Sequence, residues 1–408
     1  MTDSIHICAS SDCDCGMSRR DFLRMSALGT AAAASPLLFA GDAMAQNFKG
    51  SDQPVKIGYL PITDAAPLLV AHGRRLFQAQ GLEAQAPKMF RSWPELIEAF
   101  VAGQVNVIHM LSPATLWVRY GSKFPAKVVA WNHTNGSALT VQNEIDSVAE
   151  LGGKTLAIPF WYSIHNVVLQ KILTAHKLEP VMRARGSALK PNEVNLVVLP
   201  PAEMIAALTS KSIAGYIVAE PFNVNAELAG IGKVLRFSGD VWKNHACCVT
   251  FLAERDVKEK PEWAQRVTSA IVNAQLWIRS NQVESAELLG ADGLHRYTPH
   301  KTQALSKVLD MRNYLDYERR RVVVHPEWFQ RRIDFQPYPF ASYTEELVRA
   351  MAQTKIEGDN GFLTRLDPKF VAKDLVEDRF VRKAMDAVGG PIAFGLPDDL
   401  HRVETIKV

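Results

Sequence analysis

The residues best placed for chemistry stand where short apolar runs end. Thr63 and Asp64 follow Val55-Lys56-Ile57-Gly58-Tyr59-Leu60, an alternating stretch that reads as a strand, and the turn Pro61-Ile62. Ser112 follows the apolar run from Val105 to Met110, and Pro113 opens a helix after it. Hydroxyls and backbone N–H groups at two such helix starts favour an anion, because the helix dipole is positive there. Plain helix capping is the competing use of Thr63 and Ser112. Trp93 opens another helix beside its N-cap candidate Ser92, where it either walls a pocket or fills the core. Glu220 ends the strand-like run Gly215-Tyr216-Ile217-Val218-Ala219 and precedes Pro221, so it projects from a strand end. A buried carboxylate is costly unless paired. Glu220 therefore either meets a metal such as Ca²⁺, a basic side chain or a donor-rich ligand of urea or guanidinium type, or stands as a surface-facing strand cap.

Enzyme constellations are scarce. The chain has no G-x-S-x-G elbow, no H-E-x-x-H, no phosphate-binding G-x-x-x-x-G-K-[ST] and no G-x-G-x-x-G after a strand. Its 11 histidines, among them His72, His109, His133, His165 and His245, are scattered and read mainly as structural groups. Cys247 and Cys248 are adjacent, a spacing that strains a mutual disulfide, and they read as small apolar strand residues. No catalytic residue and no cofactor is expected; Ca²⁺ at Glu220 is the one metal considered. Binding is favoured over catalysis, with an exported enzyme as the reading of another class.

The elements that must position these residues alternate. Strand, turn and helix recur from Val55 to Trp131, and the pattern restarts after residue 145 with strands at 154–159, 194–199 and 215–219. Such alternation implies mainly parallel sheets covered by helices, with ligands at the carboxyl ends of the strands. Beyond about residue 255 the chain reads as mostly helical; its Arg319-Arg320-Arg321 and Trp328-Phe329 are either a docking surface or a solvated helical face.

The first 45 residues read as an export leader. Ser18-Arg19-Arg20-Asp21-Phe22-Leu23 is a twin-arginine motif, an apolar run follows to Ala40, and Ala43-Met44-Ala45 is a small-residue cleavage pattern. A twin-arginine signal peptide over 1–45 implies a folded, soluble cargo working in the periplasm. Cys8, Cys13 and Cys15 would leave with it. Net charge is +3 over 408 residues, and the leader's three arginines against five aspartates leave +5 for the remainder. That is too mild, and too evenly spread, for nucleic acid.

Read in order, the motifs resemble the solute-binding proteins of nitrate, sulfonate and bicarbonate ABC importers. Carrying the resemblance are Lys56-Ile57-Gly58-Tyr59-Leu60-Pro61-Ile62-Thr63-Asp64, Ser92-Trp93, His109-Met110-Leu111-Ser112-Pro113, Asn135-Gly136-Ser137, Val218-Ala219-Glu220-Pro221-Phe222-Asn223 and Asp240-Val241-Trp242-Lys243-Asn244-His245. The resemblance implies an α/β type II periplasmic-binding-protein fold: two doubly wound lobes with a hinged cleft between them. Lobe 1 would hold 54–138 and 249–408, the latter with a helical extension, and lobe 2 would hold 139–248. It implies a small polar solute, nitrate-like or bicarbonate-like, passed to a membrane permease with a cytoplasmic ATPase, so that the membrane is met only through the permease. The same fold binding an organic sulfonate, a urea- or guanidine-like molecule or a pyrimidine is the alternative. The ligand-binding set is then Thr63, Asp64, Trp93, Ser112, Asn135, Gly136, His165 and Glu220. Of these, His165 matches the family's ligand-facing histidine, and Asn135 and Gly136 fall at the lobe crossing, where glycine lets backbone come close. Trp161 and Tyr162 stand where close nitrate binders carry a glycine-rich turn.

Overall fold

The computed structural model of the chain describes residues 53–408 apart from 185 and 329. The leader, with its twin arginine and cleavage pattern, lies outside the described residues. Two mixed sheets form the frame. The first has five strands in the order β2-β1-β3-β12-β4: β1 Ile57–Tyr59, β2 Lys88–Met89, β3 Val107–Leu111, β4 Ala126–Trp131 and, from far along the chain, β12 Cys248–Ala253. A short β5, Thr134–Asn135, leads out of it. The second sheet has six strands in the order β11-β6-β10-β7-β9-β8: β6 Ser137–Val141, β7 Thr155–Ile158, β8 Glu179–Val181, β9 Glu193–Val198, β10 Gly215–Ala219 and β11 Lys233–Phe237.

The sheets are less parallel than the alternation implies. β6 runs antiparallel to both β10 and β11, and β12 runs antiparallel to both β3 and β4. Each antiparallel strand is the one the chain enters on crossing between sheets. A crossing chain arrives at the end where its neighbours finish, so it must run against them. β1, β3, β6 and β10 are buried along their whole length, which explains why their sequences read as apolar runs with helices over both faces.

Local chemistry fixes the helices that reach the site. The helix Trp93–Val101 starts at Ser92, whose Oγ accepts from Glu95 N at 3.4 Å, with Pro94 in its first turn. Glu95 completes a displaced capping box by accepting from Arg91 N at 3.1 Å. The helix Ile164–Ala175 is capped by Ser163, which accepts from Asn166 N at 3.1 Å. The first helix is short. It spans Ala66–Gly73, and Arg75, left-handed at φ 58, separates it from the short turn Leu76–Ala79.

The C-terminal third is packed around this frame. β13, Ile333–Asp334, pairs with β5. The helix Ala341–Gln353 brings Tyr343 against Trp131, ring centroids 5.0 Å apart, with Phe340 at 5.6 Å on the same indole. Full burial of one such indole is worth roughly 4–6 kcal/mol before ordering costs, at about 25 cal/mol per Å². The stretch 355–359 reaches the second sheet: Lys355 O accepts from Asn166 Nδ2 and Gln170 Nε2, and Asp359 O accepts from Tyr162 OH. No helix among the described residues is long and apolar enough to cross a membrane.

Candidate functional site

The two crossing segments meet at the carboxyl ends of β1 and β3. Thr134 and Ala246 form a bridge, and Asn135 N donates to His245 O at 2.9 Å. Asn132 is fixed by its Nδ2 on Asp64 O at 3.2 Å and by Gln275, which donates to its carbonyl at 2.7 Å. His133 follows it. On the return crossing Cys247 lies in a bend and Cys248 begins β12. In a regular strand these neighbours would face opposite ways. The bend turns both thiols to one side, onto Asp64 Oδ2, at 3.3 Å from Cys247 Sγ and 3.1 Å from Cys248 Sγ. Ser112 holds the bend. Its N–H donates to Cys247 O at 2.9 Å, and its hydroxyl and that of Tyr343 both donate to Ala246 O, at 3.0 and 2.6 Å.

Asp64, His133, Cys247 and Cys248 are all fully buried, with one ligand-type atom of each within 4.8 Å of the others. His165 joins from the second sheet's helix: its Nε2 is 2.9 Å from Ser137 Oγ and 3.8 Å from Cys247 Sγ. His109 and Trp93 close the other side, rings 5.2 Å apart.

The charges alternate. Burial and the neighbouring Cys247 push the Asp64 carboxyl up to about 6, with His133 opposing. Burial disfavours the His133 imidazolium, but Asp64 outweighs it and raises the ring to about 10. The two shifts pull in opposite senses for one contact; at neutral pH both leave an aspartate facing an imidazolium. For Cys247, burial is outweighed by a hydrogen bond from Cys248 and by the histidines, so its thiol falls well below the ordinary range. Burial, Cys247 and Asp64 hold Cys248 well above it. Burial lowers His109 to about 3, so its ring is neutral; Nε2 accepts from Leu60 N at 2.9 Å and Nδ1 carries the proton.

Several of these buried atoms have no hydrogen-bond partner: Asp64 Oδ1, both ring nitrogens of His133, Nδ1 of His109 and of His165, and Nε1 of Trp93. His133 Nε2 lies 3.0 Å from Asp64 Oδ2 without the alignment of a hydrogen bond. Buried polar groups are normally paired, so such a concentration marks a place where something else binds.

Comparison with known proteins places the frame. The model of the NMT1-like family matches residues 49–290. This chain belongs to the NMT1-like family. Among curated relatives, the nitrate/nitrite binding protein NrtA of Nostoc is 26% identical over 243 residues, covering 54% of this chain and 53% of that protein. The bicarbonate transport ATP-binding protein CmpC of Synechocystis is 25% identical over 255 residues, covering 58% of this chain and 37% of that protein. The chain thus spans about half the length of NrtA and less of CmpC. Among solved structures, the periplasmic nitrate-binding protein NrtA of Synechocystis superposes with a TM-score of 0.69 at 17% identity, covering 86% of this chain and 93% of its own. The alkanesulfonate-binding protein SsuA of Xanthomonas axonopodis superposes with a TM-score of 0.55 at 15% identity, covering 82% and 99%. The fold is therefore the two-lobed periplasmic-binding form.

Within this NMT1-like frame the sequence-derived residues separate into two groups. Asp64, Trp93 and His165 face the unpaired cluster. Ser112 stands behind it as the anchor of the Cys247 bend. Thr63 is committed to the chain itself, donating through N and Oγ1 to Glu220 O, both at 3.0 Å. Asn135, left-handed at φ 60, donates through Nδ2 to Arg331 O at 3.1 Å. Gly136, at φ +77, leaves room for the His133 ring, whose Nδ1 would stand 3.0 Å from an added Cβ. Of the partners considered for Glu220, the structure supplies a basic side chain. Glu220 is fully buried, its Oε1 accepts from Arg332 Nε at 2.8 Å and Nη2 at 2.5 Å, and its Oε2 accepts from Val224 N at 3.3 Å.

His133, Cys247, Cys248 and His109 carry the site's chemistry, although the sequence reads the histidines as structural groups and the cysteines as small apolar strand residues. The one signal was position: His133 and the cysteines sit on the two crossings, next to motifs that had been recognised.

Proposed function

We propose that this NMT1-like chain is the solute-binding component of an ABC importer, working outside the cytoplasm and passing a small polar solute to a permease driven by an ATPase. The observation that carries this reading is the concentration of unpaired, buried donors where the two sheets meet: Trp93 Nε1, His109 Nδ1 and the His133 and His165 rings. Donors converging from both sheets suit a compact solute rich in acceptor oxygens, such as a nitrate- or bicarbonate-like oxyanion, and a solute bridging both lobes would favour the closed form. The names of the relatives, a nitrate/nitrite binding protein and a component of bicarbonate transport, support the same class. No nucleophile or bound cofactor is needed for this role, and we read the protein as a binder. The twin-arginine leader is the proposed route of export.

A thermal-shift screen of the full chain, emptied by unfolding and refolding, tests it. The panel is nitrate, nitrite, bicarbonate, cyanate, methanesulfonate, taurine and urea. A solute at about 100 times its dissociation constant stabilises by about 2.7 kcal/mol, a rise of several degrees. A rise with one compact solute supports the reading; a folded protein that responds to none of the panel overturns it. Replacing Arg19 and Arg20 by lysine should stop export, read by cell fractionation.

A further inference from the structure

Cys247, Cys248, His133 and Asp64 supply two sulfurs, an imidazole nitrogen and a carboxylate oxygen to one small buried volume. Tetrahedral Zn²⁺ takes sulfur at about 2.3 Å and nitrogen or oxygen at about 2.0–2.2 Å, which sets its ligands about 3.3–3.8 Å apart. The three contacts to Asp64 Oδ2 are 3.0 Å from His133, 3.3 Å from Cys247 and 3.1 Å from Cys248, slightly inside that shell, and all four ligand atoms lie within 4.8 Å of one another. A second observation is independent of the spacing. His133 and Asp64 lie side by side, and the free Asp64 Oδ1 and both ring nitrogens of His133 have no hydrogen bond, although each residue is fully buried. His133 Nε2 approaches Asp64 Oδ2 to 3.0 Å with no hydrogen bond between them, an approach that becomes a pair of coordination bonds once a cation takes the place of the ring proton.

We propose that Asp64, His133, Cys247 and Cys248 form a Zn²⁺ site. Two thiols and an imidazole exclude the hard-cation chemistry of Ca²⁺ or Mg²⁺, which takes oxygen ligands. Zinc is favoured over a redox metal because a donor set of two sulfurs, one nitrogen and one oxygen suits it. On binding, the thiol and imidazole protons leave to solvent and their lone pairs fill the metal's coordination sphere. Supporting groups are in place behind the ligands. Ser137 Oγ and His165 Nε2 each stand 3.8 Å from Cys247 Sγ, and Asn132 Nδ2 ties the backbone of Asp64 at 3.2 Å. The site rests on this donor set and not on the solute reading.

The test uses the full chain with Cys8, Cys13 and Cys15 replaced by serine, so that Cys247 and Cys248 are its thiols. The protein is stripped with chelator under reducing conditions and titrated with Zn²⁺ against a chromophoric chelator, and Co²⁺ is added as a spectroscopic probe. One Zn²⁺ per chain is expected, with thiolate-to-cobalt charge-transfer bands in the near ultraviolet and no competition from Ca²⁺. Cys247→Ser and Cys248→Ser should each weaken Zn²⁺ by about 100-fold or more while far-ultraviolet dichroism is unchanged. The cobalt spectrum of the parent keeps the test decisive if a variant fails to fold. A folded, reduced parent that takes no Zn²⁺, shows no charge-transfer band or loses the metal to Ca²⁺ overturns the site. The solute panel run with and without chelator separates the two proposals: solute response without Zn²⁺ uptake overturns the metal site alone, and Zn²⁺ uptake without solute response leaves it standing and overturns the solute reading.

Discussion

Two buried sets of charge lie on either side of the Thr63–Asp64 turn, and they differ in how completely their atoms are paired. Glu220 and Arg332 saturate one another. Beyond the contacts to Oε1, Arg332 Nη1 donates to Tyr317 OH at 3.0 Å, and the guanidinium stands over Phe237 at 5.1 Å. Burial pushes Glu220 up with Arg332 opposing, and burial lowers Arg332 but is outweighed by Glu220, which holds it above its ordinary range. The Asp64 cluster has as many polar groups and leaves several with nothing to bind. The contrast teaches that burial alone does not mark a binding site. A buried charge with both carboxylate oxygens paired is scaffold; one with an oxygen left unpaired is waiting for a partner.

The largest effect that would break this comparison is on folding. Arg332→Met leaves Glu220 buried and unpaired and should cost about 3–5 kcal/mol, read from the urea midpoint. Adding Glu220→Leu should return most of that loss, since replacing both partners removes the orphan charge. A mild single variant would mean that Glu220 has another partner and is not scaffold. Asp64→Asn should do the opposite: a change of about 1–2 kcal/mol in stability, with binding of both Zn²⁺ and solute weakened by at least about tenfold in calorimetry, because a carboxylate is exchanged for a weaker ligand of similar shape. Unfolding of this variant in place of weakened binding would erase the distinction.

Ser112→Ala sharpens it further. The hydroxyl touches only Ala246 O and Tyr343 OH, so its loss should cost about 1 kcal/mol and loosen the Cys247 bend, weakening Zn²⁺ severalfold with little change in solute specificity. The smallest effect belongs to a half-buried pair. Asp374 is held down to about 2, first by its hydrogen bond from Arg119. A depressed carboxyl stabilises the fold above its unfolded value near 3.8, and that contribution is lost as pH falls through about 2. Because the group keeps partial access to water, about 1 kcal/mol remains after screening. The gap in urea midpoint between the parent and Asp374→Asn should be present at pH 5 and close by about pH 2; a gap unchanged with pH would refute the ion-pair account.

Much of the frame is legible in the sequence because it is local. The Ser92 cap, the apolar runs of β1, β3 and β10 and the restart of the pattern after residue 145 each need only neighbours to be seen. The antiparallel strands are not legible, since their direction is set by the crossings. The site is legible in part. Asp64, Trp93 and His165 announce themselves at strand ends and helix starts. Cys247 and Cys248 do not, because alternation predicts opposite faces and only the bend at 247 reverses that. His133 carries no periodic signal, and its partners come from other crossings. Arg332 and Tyr343 lie in a region read as a surface or a docking face. The structure uses that region to pair Glu220 and to anchor Ala246, contacts too distant in sequence to be inferred.

The account stands on the claim that the unpaired atoms between the sheets receive the solute. Long-range ¹H–¹⁵N spectra of the histidine rings, recorded while the stabilising solute is titrated, test this most directly. The ring nitrogens of His109, His133 and His165 should shift together and saturate at one equivalent, while those of His176 and His401 at the periphery stay in place. Saturating solute that leaves the His133 and His165 rings unmoved would contradict it.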